Sequence, residues 1–169
     1  MYREIENPWK AFAQEIGGSY CLSEEGTSEV KGTFNEFPFT LKMIFIQAAP
    51  KVNLFLTHFE INLPKPSRLK FKIYREGIIQ KLTKLFGTQD IIFNDRAFDK
   101  KYIIEGNDEA RVKEIITPNI RADIIELGEI LMILDGETLT YEQSGKIIDT
   151  KKLLTILQMM TELTGKIKE

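Results

Sequence analysis

The stretch Phe93–Pro118, FNDRAFDKKYIIEGNDEARVKEIITP, changes from strand-like to helical periodicity across one polar turn, and its reading decides the fold class. Phe98, Tyr102 and Ile104 share one side of a segment from Phe98 to Glu105 whose second half is rich in β-formers, which predicts a strand. Gly106 and Asn107 end it. Asn107 is placed to cap a helix whose first turn holds Asp108 and Glu109, where the positive end of the helix dipole favours carboxylates. Val112, Ile115 and Ile116 form the apolar stripe of that helix. Thr117-Pro118 closes it and opens another, because proline turns the preceding residue away from the helical conformation yet suits the first helical position. The stretch reads as strand, turn, helix, helix.

Downstream, Ile120, Ile124, Ile125 and Leu127 continue the second helix to Gly128. Asp135-Gly136 between Ile130–Leu134 and Glu137–Tyr141 predicts a two-residue hairpin that sets Met132 against Leu139 and Ile130 against Tyr141, with these side chains buried. Asp149 caps a last helix with the stripe Leu153, Ile156, Leu157, Met160 and Leu163, ending at Gly165. Upstream, Asn7-Pro8 opens a helix with Trp9, Phe12, Ala13 and Ile16 on one face, and Gly17-Gly18 stops it. From Ser28 to Arg75 alternation predicts a meander of strands. The strand from Lys51 to Leu63 is apolar on both sides in its middle, so something must cover each face there. After Gly77, Ile78–Phe86 has helical spacing, with Lys81 and Lys84 on its polar side. The pattern predicts a single α+β domain over residues 1–169. In it, a bent antiparallel sheet, made of the meander and the C-terminal hairpin, is covered by N-terminal, central and C-terminal helices. A pleckstrin-homology-like barrel is the alternative architecture.

The run Phe98-Asp99-Lys100-Lys101-Tyr102-Ile103-Ile104, followed by Asp108, Ala110-Arg111 and Ile115-Ile116-Thr117-Pro118, resembles a pattern in a family of uncharacterised bacterial domains. The resemblance covers about residues 93–142. Many members of that family carry membrane spans that are not evident in this chain, and no activity is attached to them, so the resemblance implies a fold and transfers no catalytic residue.

The 43% hydrophobic and 28% charged content suits a globular protein able to bury a core, and a formal charge of −2 excludes a global attraction to nucleic acid. The N-terminus lacks the apolar core of a secretory signal, and no window reaches the roughly 18 apolar residues of a spanning helix, which makes a cytoplasmic location the expectation. Cys21 is the only cysteine, so an intrachain disulfide is excluded, and a buried, inert thiol is expected.

Chemistry-bearing candidates are few, and no cofactor is implied. His58 and Glu60 are two apart in a strand and point the same way, as an acid/base pair or two metal ligands would. Asp90, Asp95 and Asp99 could add oxygen ligands, although their spacing fits no EF-hand and Asp95-Arg96 and Asp99-Lys100 read as locally compensated charges. Neither a Walker pattern nor GxGxxG occurs, and no serine lies in a nucleophile elbow.

Charge is segregated. Residues Lys65–Lys84 hold Lys65, Arg68, Lys70, Lys72, Arg75, Lys81 and Lys84 against Glu76 alone, a net +6 that leaves −8 for the remainder. Alternation aims Leu69, Phe71 and Ile73 inward and Arg68, Lys70 and Lys72 outward. Such a row suits an anionic ligand, a lipid headgroup or an acidic protein, or else protects an edge strand from pairing with another chain. The expected function is therefore a binding or interaction domain without evident catalytic chemistry, its candidate ligand site being Lys65, Arg68, Lys70, Lys72 and Arg75. A metal-dependent or acid/base enzyme using His58, Glu60, Asp90, Asp95 and Asp99 is the alternative. Sheet edges left by the meander make a homodimer an open possibility.

Overall fold

The computed structural model describes residues 7–75 and 89–168. Asn7 accepts the Trp9 amide, Pro8 takes the first helical position, and helix α1 (Pro8–Ile16) ends where Gly17 turns left-handed at φ +69. Strands β1 (Ser19–Leu22), β2 (Ser28–Phe34), β3 (Phe37–Ala49) and β4 (Val52–Asn62) then form a meander. Asn35 and Glu36, both at positive φ, make the tight turn between β2 and β3 that a right-handed strand twist favours. Next come β5 (Phe71–Arg75), β6 (Gln89–Asp90), helix α2 (Arg96–Asp99), β7 (Tyr102–Gly106), helices α3 (Glu109–Ile115) and α4 (Pro118–Leu127), β8 (Leu131–Leu134), β9 (Thr138–Ser144) and helix α5 (Thr150–Lys168).

The nine strands of the described residues join one antiparallel sheet in the order β1-β2-β3-β4-β9-β8-β5-β7-β6. Direct cross-strand pairing runs Val30, Leu41, Phe59, Tyr141, Met132, Ile73, Ile104, one residue from each of seven successive strands. Each of these side chains is buried, and α5, through Leu153, Ile156, Leu157, Met160 and Leu163, shares their core. That row is the spine of the apolar face. The sheet stays open, with β1 and β6 as its edges among the described residues, so the barrel alternative is not realised.

The central stretch departs from its reading in two places. Phe98 lies in the short α2, because Asp95 caps that turn and Asp99 accepts the Phe93 and Asp95 amides at 3.0 Å; the strand starts only at Tyr102. Asp108, rather than Asn107, caps α3. Asn107 is occupied elsewhere, accepting the Lys70 amide at 2.8 Å and donating to the Arg68 carbonyl at 2.7 Å. Thr117 and Pro118 open α4 as expected, and Asp149 accepts amides of the first turn of α5, which runs past Gly165.

In the C-terminal hairpin, Leu134 pairs with Leu139 and Met132 with Tyr141, so the turn is at Gly136-Glu137, one residue later than the sequence suggests. Asp135 causes the slip: its Oδ1 accepts both the Glu137 and Thr138 amides at 2.8 Å. Every pairing moves by two, which preserves the faces, and Ile130, Met132, Leu139 and Tyr141 are all buried. Cys21, expected inside, is exposed on edge strand β1. The expected helix Ile78–Phe86 lies outside the described residues.

Candidate functional site

The basic strand is not what its alternation implies. Leu69, Phe71 and Ile73 are buried as expected, but β5 is flanked by β7 on one side and β8 on the other, so neither an edge nor its protection is at issue. Lys72 is 2% exposed, paired across the ladder with Glu105, whose carboxylate lies 3.8 Å from Nζ and also accepts the Tyr74 hydroxyl at 3.2 Å. The outward row is therefore broken at its middle. Lys65, Arg68, Lys70 and Arg75 are exposed, but Arg75 sits at the opposite end of β5 from Arg68 and Lys70. The latter two lead into β5, with Lys70 beside the Gly136-Glu137 turn. Lys81 and Lys84 lie outside the described residues.

The acidic candidates are not brought together. His58 is buried on the outer face of β4, with Nδ1 2.9 Å from Glu142 and Nε2 3.4 Å from Glu60; Lys42 approaches Glu60 at 3.9 Å. The pairing Glu29–Lys42–His58–Glu142 continues these charges across four strands as a row of alternating sign around the histidine. Asp95 and Asp99 adjoin β7, four strand spacings or about 19 Å from β4. Asp95 accepts the Arg121 Nε–H at 2.9 Å, and that hydrogen bond holds its carboxyl below the usual carboxylate range. Asp95 is taken up by Arg121 and Asp99 by two backbone amides, so the locally compensated Asp95–Arg96 and Asp99–Lys100 pairs are not formed, and Asp90 is exposed on the edge strand β6. Among the described residues no group of three His, Cys, Asp or Glu side chains could hold a metal.

What the structure adds lies at the far end of β3 and β4. Pairing of β2 with β3 stops at Lys42, and pairing of β9 with β4 stops at Thr57. Beyond these points β3 and β4 continue as a two-stranded ribbon from Met43 to Leu56, joined at its base to β9 only through Gly145, whose amide donates to the Phe55 carbonyl at 2.7 Å. Its pairs are Ile44 with Leu56, Phe45 with Phe55, and Ile46 with Leu54. By strand alternation the two phenylalanines lie on one face, with rings 5.2 Å apart, and the four aliphatic residues on the other. Phe45 is 49% exposed, Ile46 40%, Val52 48%, Leu54 45% and Phe55 50%, so beyond the half-buried Ile44 and Leu56 at its base neither face of the ribbon is covered by described residues. Lys51 is the one charge between Met43 and Thr57. The sequence shows that this segment is apolar on both sides, but the cover inferred for both faces is not found.

At about 200 Å² for a whole phenylalanine side chain, these exposures leave roughly 200 Å² of apolar surface on each face, together comparable with the largest apolar patch of a typical monomer. Among the described residues the other exposed large hydrophobics are Leu22 on β1 and Ile92 and Ile148 in two separate connections.

No family model and no curated protein sequence matches the chain. A solved structure does: the crystal structure of the mycobacterial trehalose monomycolate transport factor A, TtfA, superposes with a TM-score of 0.66 over 99% of this chain and 96% of that one, at 8% identity. The two share a fold.

Proposed function

We propose that the protein is a non-catalytic binding domain that works at a lipid surface, with the β3–β4 ribbon as its contact element. The observation that carries this is the simultaneous exposure of both apolar faces of one ribbon. A protein partner docked on one face leaves the other wet. A second copy of the chain offers no separate apolar patch among the described residues, and ribbon against ribbon covers about 200 Å² per copy, well short of the roughly 800 Å² per partner of a stable interface. A lipid surface covers both faces. The lone charge, Lys51, suits anionic headgroups, and no carboxylate in the ribbon opposes them. No helix of the described residues is long and apolar enough to cross a membrane. The fold is shared with a protein named as a transport factor, which accords with a binding or transport-associated role.

Vesicle flotation tests the reading. Wild-type protein is expected to float with vesicles of equimolar phosphatidylcholine and phosphatidylglycerol, and Phe45→Ser/Phe55→Ser is expected to stay at the bottom while melting at the wild-type temperature. Wild type that does not float, or a variant that floats equally well, refutes it.

A further inference from the structure

Resting on that reading, we infer that the ribbon lies along the interface of an anionic bilayer, at the boundary of headgroups and acyl chains, and that the basic end of the sheet takes no part in the contact. Three features of the ribbon fix how it can sit. Its apolar belt, Ile44 to Ile46 with Leu54 to Leu56, is set back from a tip in which Gln47, Lys51 and Asn53 stand beside Ala48, Ala49, Pro50 and Val52. Entry tip-first would drive Lys51 and the Gln47–Asn53 pair into hydrocarbon ahead of the belt, where a charge is strongly disfavoured. The outer edges of the ribbon have no strand neighbour from Met43 on β3, and on β4 only the Gly145 bridge, so their amides and carbonyls need water or headgroups. Its reach is also short: the seven residues Met43–Ala49 extend about 24 Å, against a hydrocarbon core of about 30 Å. Lying in the plane of the interface satisfies all three conditions, with the Phe45–Phe55 face against the upper acyl chains, the aliphatic face under the headgroups, the edges hydrated and Lys51 at phosphate level.

Exposed Lys65, Arg68 and Lys70 could bind the same phosphates, but they follow the other end of β4. From Lys51 to Asn62 the strand extends about 37 Å, so the two positive regions lie at opposite ends of the sheet. The belt supplies the apolar contact, and Lys51 is the cation beside it.

The test uses the full chain with Cys21→Ser as background and an environment-sensitive fluorophore on a single new cysteine at Phe55, Asn53 or Arg68, mixed with vesicles of equimolar phosphatidylcholine and phosphatidylglycerol. The label at position 55 is expected to brighten and to be quenched by nitroxides high on the acyl chains. The label at 53, on the same face by strand alternation, should report a position no deeper than that at 55, and the label at 68 should not respond. In the unlabelled chain Lys51→Glu is expected to weaken vesicle binding at least about tenfold by reversing one charge at the surface, whereas Arg68→Glu/Lys70→Glu leaves it unchanged. A label at 53 lying deeper than that at 55 overturns the in-plane seating. Loss of binding in Arg68→Glu/Lys70→Glu with Lys51→Glu silent moves the contact to the basic end and overturns the inference. Absence of any vesicle binding by wild type overturns instead the lipid-surface reading on which it rests.

Discussion

Gly136 is the position where one added methyl group should cost most. It leads the β8–β9 turn at φ +103, and a Cβ built on it would lie 2.8 Å from the Ser67 carbonyl oxygen. Along the same seam the Ser67 amide donates to the Gly136 carbonyl at 2.7 Å, tying the chain that enters β5 to the hairpin. Gly136→Ala therefore meets two separate costs. Holding an L side chain in the left-handed region costs about 1–2 kcal/mol. The contact is with backbone rather than a flexible side chain, so the seam must open, adding about 0.5–1.5 kcal/mol for the hydrogen bond and about 1–3 kcal/mol for repacking around it. Gly145→Ala isolates the first cost, since Gly145 has φ +79 and nothing within 4 Å of its built Cβ. Denaturant titration should show Gly136→Ala losing about 3–5 kcal/mol and Gly145→Ala about 1–2 kcal/mol, with unchanged slopes. Equal losses would mean that the seam carries no strain of its own, and would refute the reasoning.

Leu157, buried in the core on α5, should lose about 2–5 kcal/mol on truncation to alanine; a change under about 0.5 kcal/mol would make α5 peripheral. Asp95 and Asp123 should respond to acid with opposite signs. The Arg121 hydrogen bond lowers the Asp95 pKa, so its stabilisation is present above the unfolded value and disappears as pH falls through the folded one. Burial, reinforced by Glu126 and Glu162, raises that of Asp123, so ionising it costs stability as pH rises from the unfolded value through the folded one. Thermal melts from neutral to acid pH should show Asp95→Asn less stable and Asp123→Asn more stable than wild type at neutral pH, both differences fading in acid; parallel shifts would contradict the assignment. Cys21 should react with a thiol reagent in the native state as fast as in denaturant, and protection would show that β1 is covered.

Caps, turns and amphipathic faces were legible because their signals are local. Asn7-Pro8, Thr117-Pro118 and Asp149 act within three or four residues of themselves, and each sits where the sequence puts it. Which strands become neighbours is not local. Alternation around Lys72 shows correctly that its neighbours Phe71 and Ile73 are inside, but Lys72 is itself buried because β7 supplies Glu105 and β8 flanks the other side. The ribbon is the same problem reversed. Its two apolar faces can be read from Met43–Ile46 and Leu54–Leu56, but whether they are covered depends on how far β2 and β9 extend, and these pair only as far as Lys42 and Thr57. Asp135 shows a third limit: the Asp-Gly pair marks the hairpin, but the aspartate side chain moves the turn by one residue.

The union of β4 with β9 has a consequence for the chain while it is being made. His58 meets Glu142 across 84 positions, so at about 5–20 residues per second the first four strands wait roughly 4–17 s on the ribosome before β9 exists. Throughout that interval β4 presents an unpaired edge running straight into the apolar ribbon, the combination most prone to pair with another nascent chain. A fragment ending before Thr138 keeps that edge permanently, lacks the Tyr141 link in the spine, and should be recovered as aggregate rather than as a smaller folded domain.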